Sequence, residues 1–115
     1  MSFHPARHRA LQSQLFDIIA QLRRKYDPEK IIVFGSYAKG ETNQWSDLDI
    51  AIVKDTPKRF VDRLKEVSGL IDNTLATDII VYTPQEFALM QRNNYFVRDE
   101  IVAKGDVVYD KNQDG

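Results

Sequence analysis

Apolar residues recur at helical spacing early in the chain, at Leu11, Leu15, Ile18, Ile19, Leu22 and Tyr26. Gln12, Gln14, Gln21, Arg23 and Arg24 fall largely between them. A stripe of period 3.6 with polar residues behind it predicts an amphipathic helix from about Pro5 to Tyr26. Asp27-Pro28 ends it, because the residue before a proline is pushed out of the helical region. The pattern then changes. Ile31-Ile32-Val33-Phe34 is a short continuous apolar run that stops at Gly35, which predicts a buried strand. After a polar stretch from Ser36 to Ser46, Leu48 to Val53 predicts a second strand. Pro57 opens a second helix, with Phe60, Val61, Leu64, Val67, Leu70 and Ile71 as its apolar stripe. Thr77 to Tyr82 predicts a third strand.

Thr83-Pro84-Gln85-Glu86 has the form of a capping box and starts a helix that buries Phe87, Leu89 and Met90. Asn94 caps a last helix carrying Phe96, Val97, Ile101 and Val102, and Gly105 ends it. Val107-Val108-Tyr109 reads as a short edge strand. Alternating helices and strands make this an α/β domain: a single domain with a small mixed sheet and helices packed against it. The second and third strands, joined through a helix, are expected to be parallel. The short connection between the first and second leaves their direction open. The domain is expected to span residues 1–110, with 111–115 a flexible tail.

Composition narrows the function classes. The 115 residues fit one domain, and 43% hydrophobic with 29% charged residues is a globular balance. A net charge of −1 gives no global attraction for nucleic acid. With no cysteine, disulfide scaffolds, thiolate zinc sites and cysteine nucleophiles are excluded. No apolar run approaches the roughly 20 residues needed to cross a bilayer, and the N-terminus lacks a signal-type apolar core. The expectation is a soluble cytoplasmic protein.

The candidate chemistry lies at Asp47 and Asp49. Two apart in a strand, they point to the same face, about 7 Å apart along it, while Leu48, Ile50 and Ile52 point to the core. Two neighbouring carboxylates on an apolar strand repel each other and call for a cation. Mg²⁺ suits them, because it takes oxygen ligands from one or two carboxylates plus substrate phosphates. Asp78, alone in the third apolar run, reaches the same cluster if its strand is a neighbour. Three carboxylates around two metals suit in-line phosphoryl displacement, with Asp78 also placed as a base. Gly35 lets the backbone turn beside a ligand. Ser36 opens a turn whose hydroxyl and amides can face phosphate oxygens, and Lys39 adds charge nearby.

Tyr37 and Trp45 are expected to be packing residues, and His4 and His8 surface histidines. Arg23-Arg24-Lys25 and Lys58-Arg59 with Arg63 are expected on solvated helix faces, or equally on a rim for a partner or RNA, a choice the sequence leaves open. The Phe60, Leu64 and Val67 stripe is expected in the core.

The segment Gly35-Ser36, ten residues, then Asp47-Leu48-Asp49, preceded by Ile31-Ile32-Val33-Phe34, resembles the signature of the DNA polymerase β-like nucleotidyltransferases. The inner pattern Gly-Ser-Tyr-Ala-Lys-Gly and Ser-Asp-Leu-Asp-Ile is most similar to the minimal nucleotidyltransferases of prokaryotes. The resemblance extends over most of the chain, and Asp78 falls at that family's third carboxylate. It implies Gly35, Ser36 and Lys39 on the triphosphate of ATP, and Asp47, Asp49 and Asp78 on two Mg²⁺ ions. Some members carry arginine at the position of Lys39, and lysine lacks its two-pronged grip. Many such proteins are antitoxins paired with a HEPN-domain ribonuclease toxin, which active members inactivate by moving AMP from ATP onto a tyrosine. The resemblance therefore implies a HEPN partner, with homo- and hetero-oligomers both open. Two alternatives stay open beside it: an antitoxin acting by steric binding alone, and the nucleotide-binding half of a split aminoglycoside-type transferase.

Overall fold

The computed structural model describes residues 3–72 and 75–113. Helix α1 spans Pro5–Lys25; His4 caps it by accepting from the Arg7 amide, and Pro5 fills the first position. Arg23, Arg24 and Lys25 close it at the negative end of the helix dipole. Asp27 then takes a left-handed conformation, φ 52°, and turns the chain into β1, Lys30–Phe34. One helical turn, α2, covers Gly35–Ala38, and β2 covers Leu48–Val53. Helix α3 runs Phe60–Ser68, later than Pro57 suggested, with Arg59 as its cap residue. Strand β3 is Thr77–Tyr82. Helix α4, Pro84–Asn93, opens with the expected capping box: the Glu86 amide donates to Thr83 Oγ1 (3.1 Å) and the Thr83 amide to Glu86 Oε1 (2.9 Å). Phe96–Ala103 winds as a π-helix, a wider coil than periodicity alone suggested, and Asn94 caps it by accepting from the Val97 amide. Strand β4 is Asp106–Asp110. Lys111 to Gln113 form a turn whose first amide donates to the Glu29 carbonyl; Asp114 and Gly115 lie outside the described residues.

The sheet has the order β3-β2-β1-β4. β2 and β3 are parallel, as their helical connection required. β1 is antiparallel to both β2 and β4, which settles the direction left open by the short connection. Alternation divides the sheet between two cores. Ile31, Val33, Leu48, Ile50, Ile52 and Val81 face α1 and α3, meeting Leu11, Leu15, Ile18, Leu22 and Val67. Ile32, Phe34, Ala51, Val53 and Tyr82 face α4 and the π-helix, meeting Phe87, Val97 and Ile101. Each fully buried Leu or Ile contributes about 1.5–3 kcal/mol through removal from water, so both layers pin the central strands.

Among the helices, Phe60, Leu89 and Arg63 depart from their expected burial. Phe60 is 46% exposed and Leu89 is 59% exposed, so the apolar stripes of α3 and α4 are narrower than their sequences suggested. Arg63, expected on a solvated face, is 6% exposed. Its guanidinium donates to Lys58 O, Val81 O and both carboxylate oxygens of Glu86, which replaces the water it loses.

Candidate active site

Three chain segments end together at one edge of the sheet: the C-terminus of β1 and the N-termini of β2 and β3. Phe34 pairs with Asp49, and Asp49 pairs with Asp78. Residues directly opposite in neighbouring strands share a face, so Asp49 and Asp78 stand side by side on the α4 side of the sheet. Asp47 precedes β2 by one residue and shares that face by alternation. Asp47 and Asp49 are half-buried and Asp78 is exposed.

Gly35 is bare for two reasons. Its φ of 78° lies in the left-handed region that side chains avoid. A Cβ there would also collide with the Asp49 carboxylate, whose Cγ would lie only 3.1 Å away. The backbone that opens α2 therefore rests directly on the carboxylate of β2. Ser36 follows, and its hydroxyl donates to Ser46 Oγ at 2.9 Å. The structure thus brings Gly35, Ser36, Asp49 and Asp78 to one place, with Asp47 at its margin. Lys39 caps the C-terminus of α2 and is exposed; no ion pair or side-chain hydrogen bond joins it to the acids among the described residues.

The carboxylates are electrostatically uncomfortable. Burial pushes the Asp49 carboxyl up to about 6, and Asp78, through its charge and a hydrogen bond, and then Asp47 push in the same direction. Among the described residues none of the three forms an ion pair, and no three His, Cys, Asp or Glu side chains stand close enough together to hold a metal ion by themselves. An open set of oxygen donors with unbalanced negative charge fits Mg²⁺, which completes its octahedron with water and phosphate oxygens.

Sequence reasoning missed the support of this site. The loop from Lys39 to Asp47 is held from α1. His8 stacks on Tyr37 with ring centroids 4.4 Å apart, and its Nδ1 lies 2.8 Å from Thr42 Oγ1. The His4 amide donates to Thr42 O, and Arg7 Nε donates to Ser46 O at 2.9 Å. His8 is accordingly half-buried and tied into the loop, where a surface position was expected. The two side-chain hydrogen bonds span 34 and 39 positions, so no local pattern signals them. Tyr37 packs as expected, but Trp45 does not: it is 78% exposed.

A sequence profile described as polymerase beta, nucleotidyltransferase matches residues 17–114. The chain belongs to the polymerase beta nucleotidyltransferase family. It is 30% identical over 95 residues to the probable protein adenylyltransferase MntA of Haemophilus influenzae, covering 78% of this chain and 83% of that protein. It is 33% identical over 64 residues to a candidate protein adenylyltransferase, MJ1305, of Methanocaldococcus jannaschii, covering 53% of this chain and 44% of that protein. The match therefore spans less than half of the second relative. Among solved structures, a candidate nucleotidyltransferase from Sulfolobus solfataricus has the same fold, with TM-score 0.62 at 22% identity over 90% of this chain and 89% of that one. A mutant of the toxin–antitoxin complex MntA–HpeT aligns with TM-score 0.50 and 25% identity over 87% of this chain and 75% of that one. The resemblance read from Gly35-Ser36 and Asp47-Leu48-Asp49 therefore holds at the level of family and fold, and the chain is a nucleotidyltransferase domain.

Proposed function

We propose that this nucleotidyltransferase moves AMP from ATP onto a tyrosine hydroxyl of a HEPN-domain toxin in the cytoplasm, and so acts as its antitoxin. The observation that carries the reading is the open face beside Gly35, where the Asp49 and Asp78 carboxylates are neighbours, Asp47 adds its charge, and no ion pair offsets them among the described residues. The relatives named as protein adenylyltransferases and the toxin–antitoxin complex support the choice of acceptor.

In this reading Gly35 and Ser36 hold the triphosphate and Lys39 adds positive charge beside it. Asp47 and Asp49, with Asp78, hold two Mg²⁺ ions. Magnesium supplies neutralisation of the phosphate charge that builds up during displacement. The acceptor oxygen forms a bond to the α-phosphorus in line with the departing pyrophosphate, whose bridging bond breaks. Asp78, the most solvent-accessible of the three acids, takes the hydroxyl proton.

The test uses the purified chain, a HEPN-domain toxin as partner, Mg²⁺ and ATP labelled at the α-phosphate. Label is expected on a tyrosine of the partner, and transfer is expected to fall by about a thousandfold in Asp47→Ala/Asp49→Ala. If no label moves and the double variant still silences the partner, transfer is wrong and steric binding is the function.

A further inference from the structure

Three residues at the start of α1, its cap His4 together with Arg7 and His8, hold the segment that joins Ser36 to Asp47. One of these contacts leads directly into the site. Arg7 Nε donates to the carbonyl of Ser46, the residue before Asp47. The Ser46 hydroxyl, almost fully buried, accepts from both Ser36 Oγ and the Asn43 amide at 2.9 Å. The Ser46 amide in turn donates to Asn43 O at 3.1 Å. Ser46 is therefore a junction: its carbonyl is held by α1, its side chain holds Ser36, and its peptide leads to Asp47.

We propose that Arg7 is a positioning residue for the nucleotide, acting through Ser46 to fix the separation between the Ser36 hydroxyl and the Asp47 carboxylate. The proposal rests on the nucleotide reading of the site and deepens it. A charged donor on a peptide carbonyl makes one of the stronger hydrogen bonds a loop can have. Without it, the Ser46 carbonyl loses its only side-chain donor among the described residues, and the loop is left to Asn43 and to Thr42, which His4 and His8 hold. Ser36 and Asp47 then sample a range of separations. The triphosphate and its metal must meet both at once, so affinity for the nucleotide falls while the chemistry of correctly bound substrate is unchanged.

The chain carries its own reporter. Trp45, its single tryptophan, is exposed and sits next to Ser46. In Arg7→Ala the KM for ATP is expected to rise about tenfold, with kcat within about twofold, as loss of one charge-assisted hydrogen bond implies. Trp45 emission anisotropy should fall, and the thermal midpoint should drop by only the few degrees that one lost hydrogen bond implies. Arg7→Lys should recover part of the loss. Ser46→Ala, which keeps the carbonyl and removes the link to Ser36, should raise KM similarly, and the double variant should be no worse than the more affected single one.

The clamp is overturned if KM and anisotropy are unchanged in Arg7→Ala, if kcat falls in step with the thermal midpoint, or if the two substitutions add. A wild-type chain that neither binds nor transfers nucleotide overturns the functional reading itself, and the nucleotide role of Arg7 with it. A wild type that transfers, matched by Arg7→Ala, overturns the clamp alone.

Discussion

Two charged groups of side chains border the same sheet, and the fold treats them in opposite ways. Arg63 and Glu86 join α3 to the cap of α4. The guanidinium is buried, yet each direction it faces holds an acceptor, and its charge holds the Glu86 carboxyl below the usual carboxylate range. That site is complete in itself. At the other end of β3, Asp49 and Asp78 are neighbours of like charge, and burial with mutual repulsion drives Asp49 up to about 6. A fold that satisfies one buried charge so fully has the means to satisfy another. Unbalanced negative charge of this kind, on oxygen donors open to solvent, suits a divalent cation such as Mg²⁺ in sign and in donor preference.

The comparison breaks most sharply at Gly35. Gly35→Ala puts a methyl group where the Asp49 carboxylate lies and strains a φ of 78°. AMP transfer, measured as kcat/KM, is expected to drop about a hundredfold from misplacement of the nucleotide turn. Near wild-type activity would mean that the contact between β2 and α2 does not shape the site. Next is Glu86→Ala, which leaves the buried guanidinium unpaired and undoes the capping box. Because Glu86 is partly exposed, the loss is discounted to about 2 kcal/mol in denaturant unfolding. ATP affinity should not move; if it does, the two sites are coupled and the contrast between them fails.

The smallest effect concerns stability against pH. The Asp49 carboxyl is raised from its ordinary 3.8 to about 6 in the folded chain. Folding therefore favours its protonated form. The stability this contributes is complete below about 3.8 and is lost as pH rises through about 6. Asparagine is neutral throughout, so Asp49→Asn should raise the thermal midpoint of the metal-free chain by about 5 °C at pH 7.5. At pH 4 the two proteins should melt together. An unchanged midpoint at both pH values would show that Asp49 is not strained by its neighbours.

Much of this was legible in the sequence because it is local. Asp47-Leu48-Asp49 states its own face by alternation, and Gly35 marks the turn beside it. The helix between Val53 and Thr77 dictated a parallel pairing, which brought Asp78 opposite Asp49. The capping box at Thr83 and Glu86 is written in four residues. What was not legible depends on residues far apart in the chain. Arg63 looks like any other charge on a helix until Glu86 and Val81 arrive beside it. The short connection after β1 fits either strand direction, and only the pairing itself decides, from Lys30 with Val53 to Phe34 with Asp49. Arg7 and His8 carry no local sign that they hold Ser46 and Thr42. Trp45 misled for a related reason: aromatic size favours burial on average, but a loop held by its neighbours on both sides can leave one ring in water.

The place of β4 sets the order in which this protein can be completed as it is synthesised. β1 is central, and its second partner is β4: Lys30 pairs with Asp110 and Ile31 with Tyr109. A ribosome that has finished β3 has made all three acids, but one edge of β1 still lies open along Ile31 to Val33. That open apolar edge is an invitation to neighbouring nascent chains. The pairing that closes it joins residues far apart in the chain, which slows folding relative to the local contacts of the helices. A chain released before β4 is made would carry the complete acidic triad on an unfinished sheet, and aggregation rather than lost chemistry would be its failure.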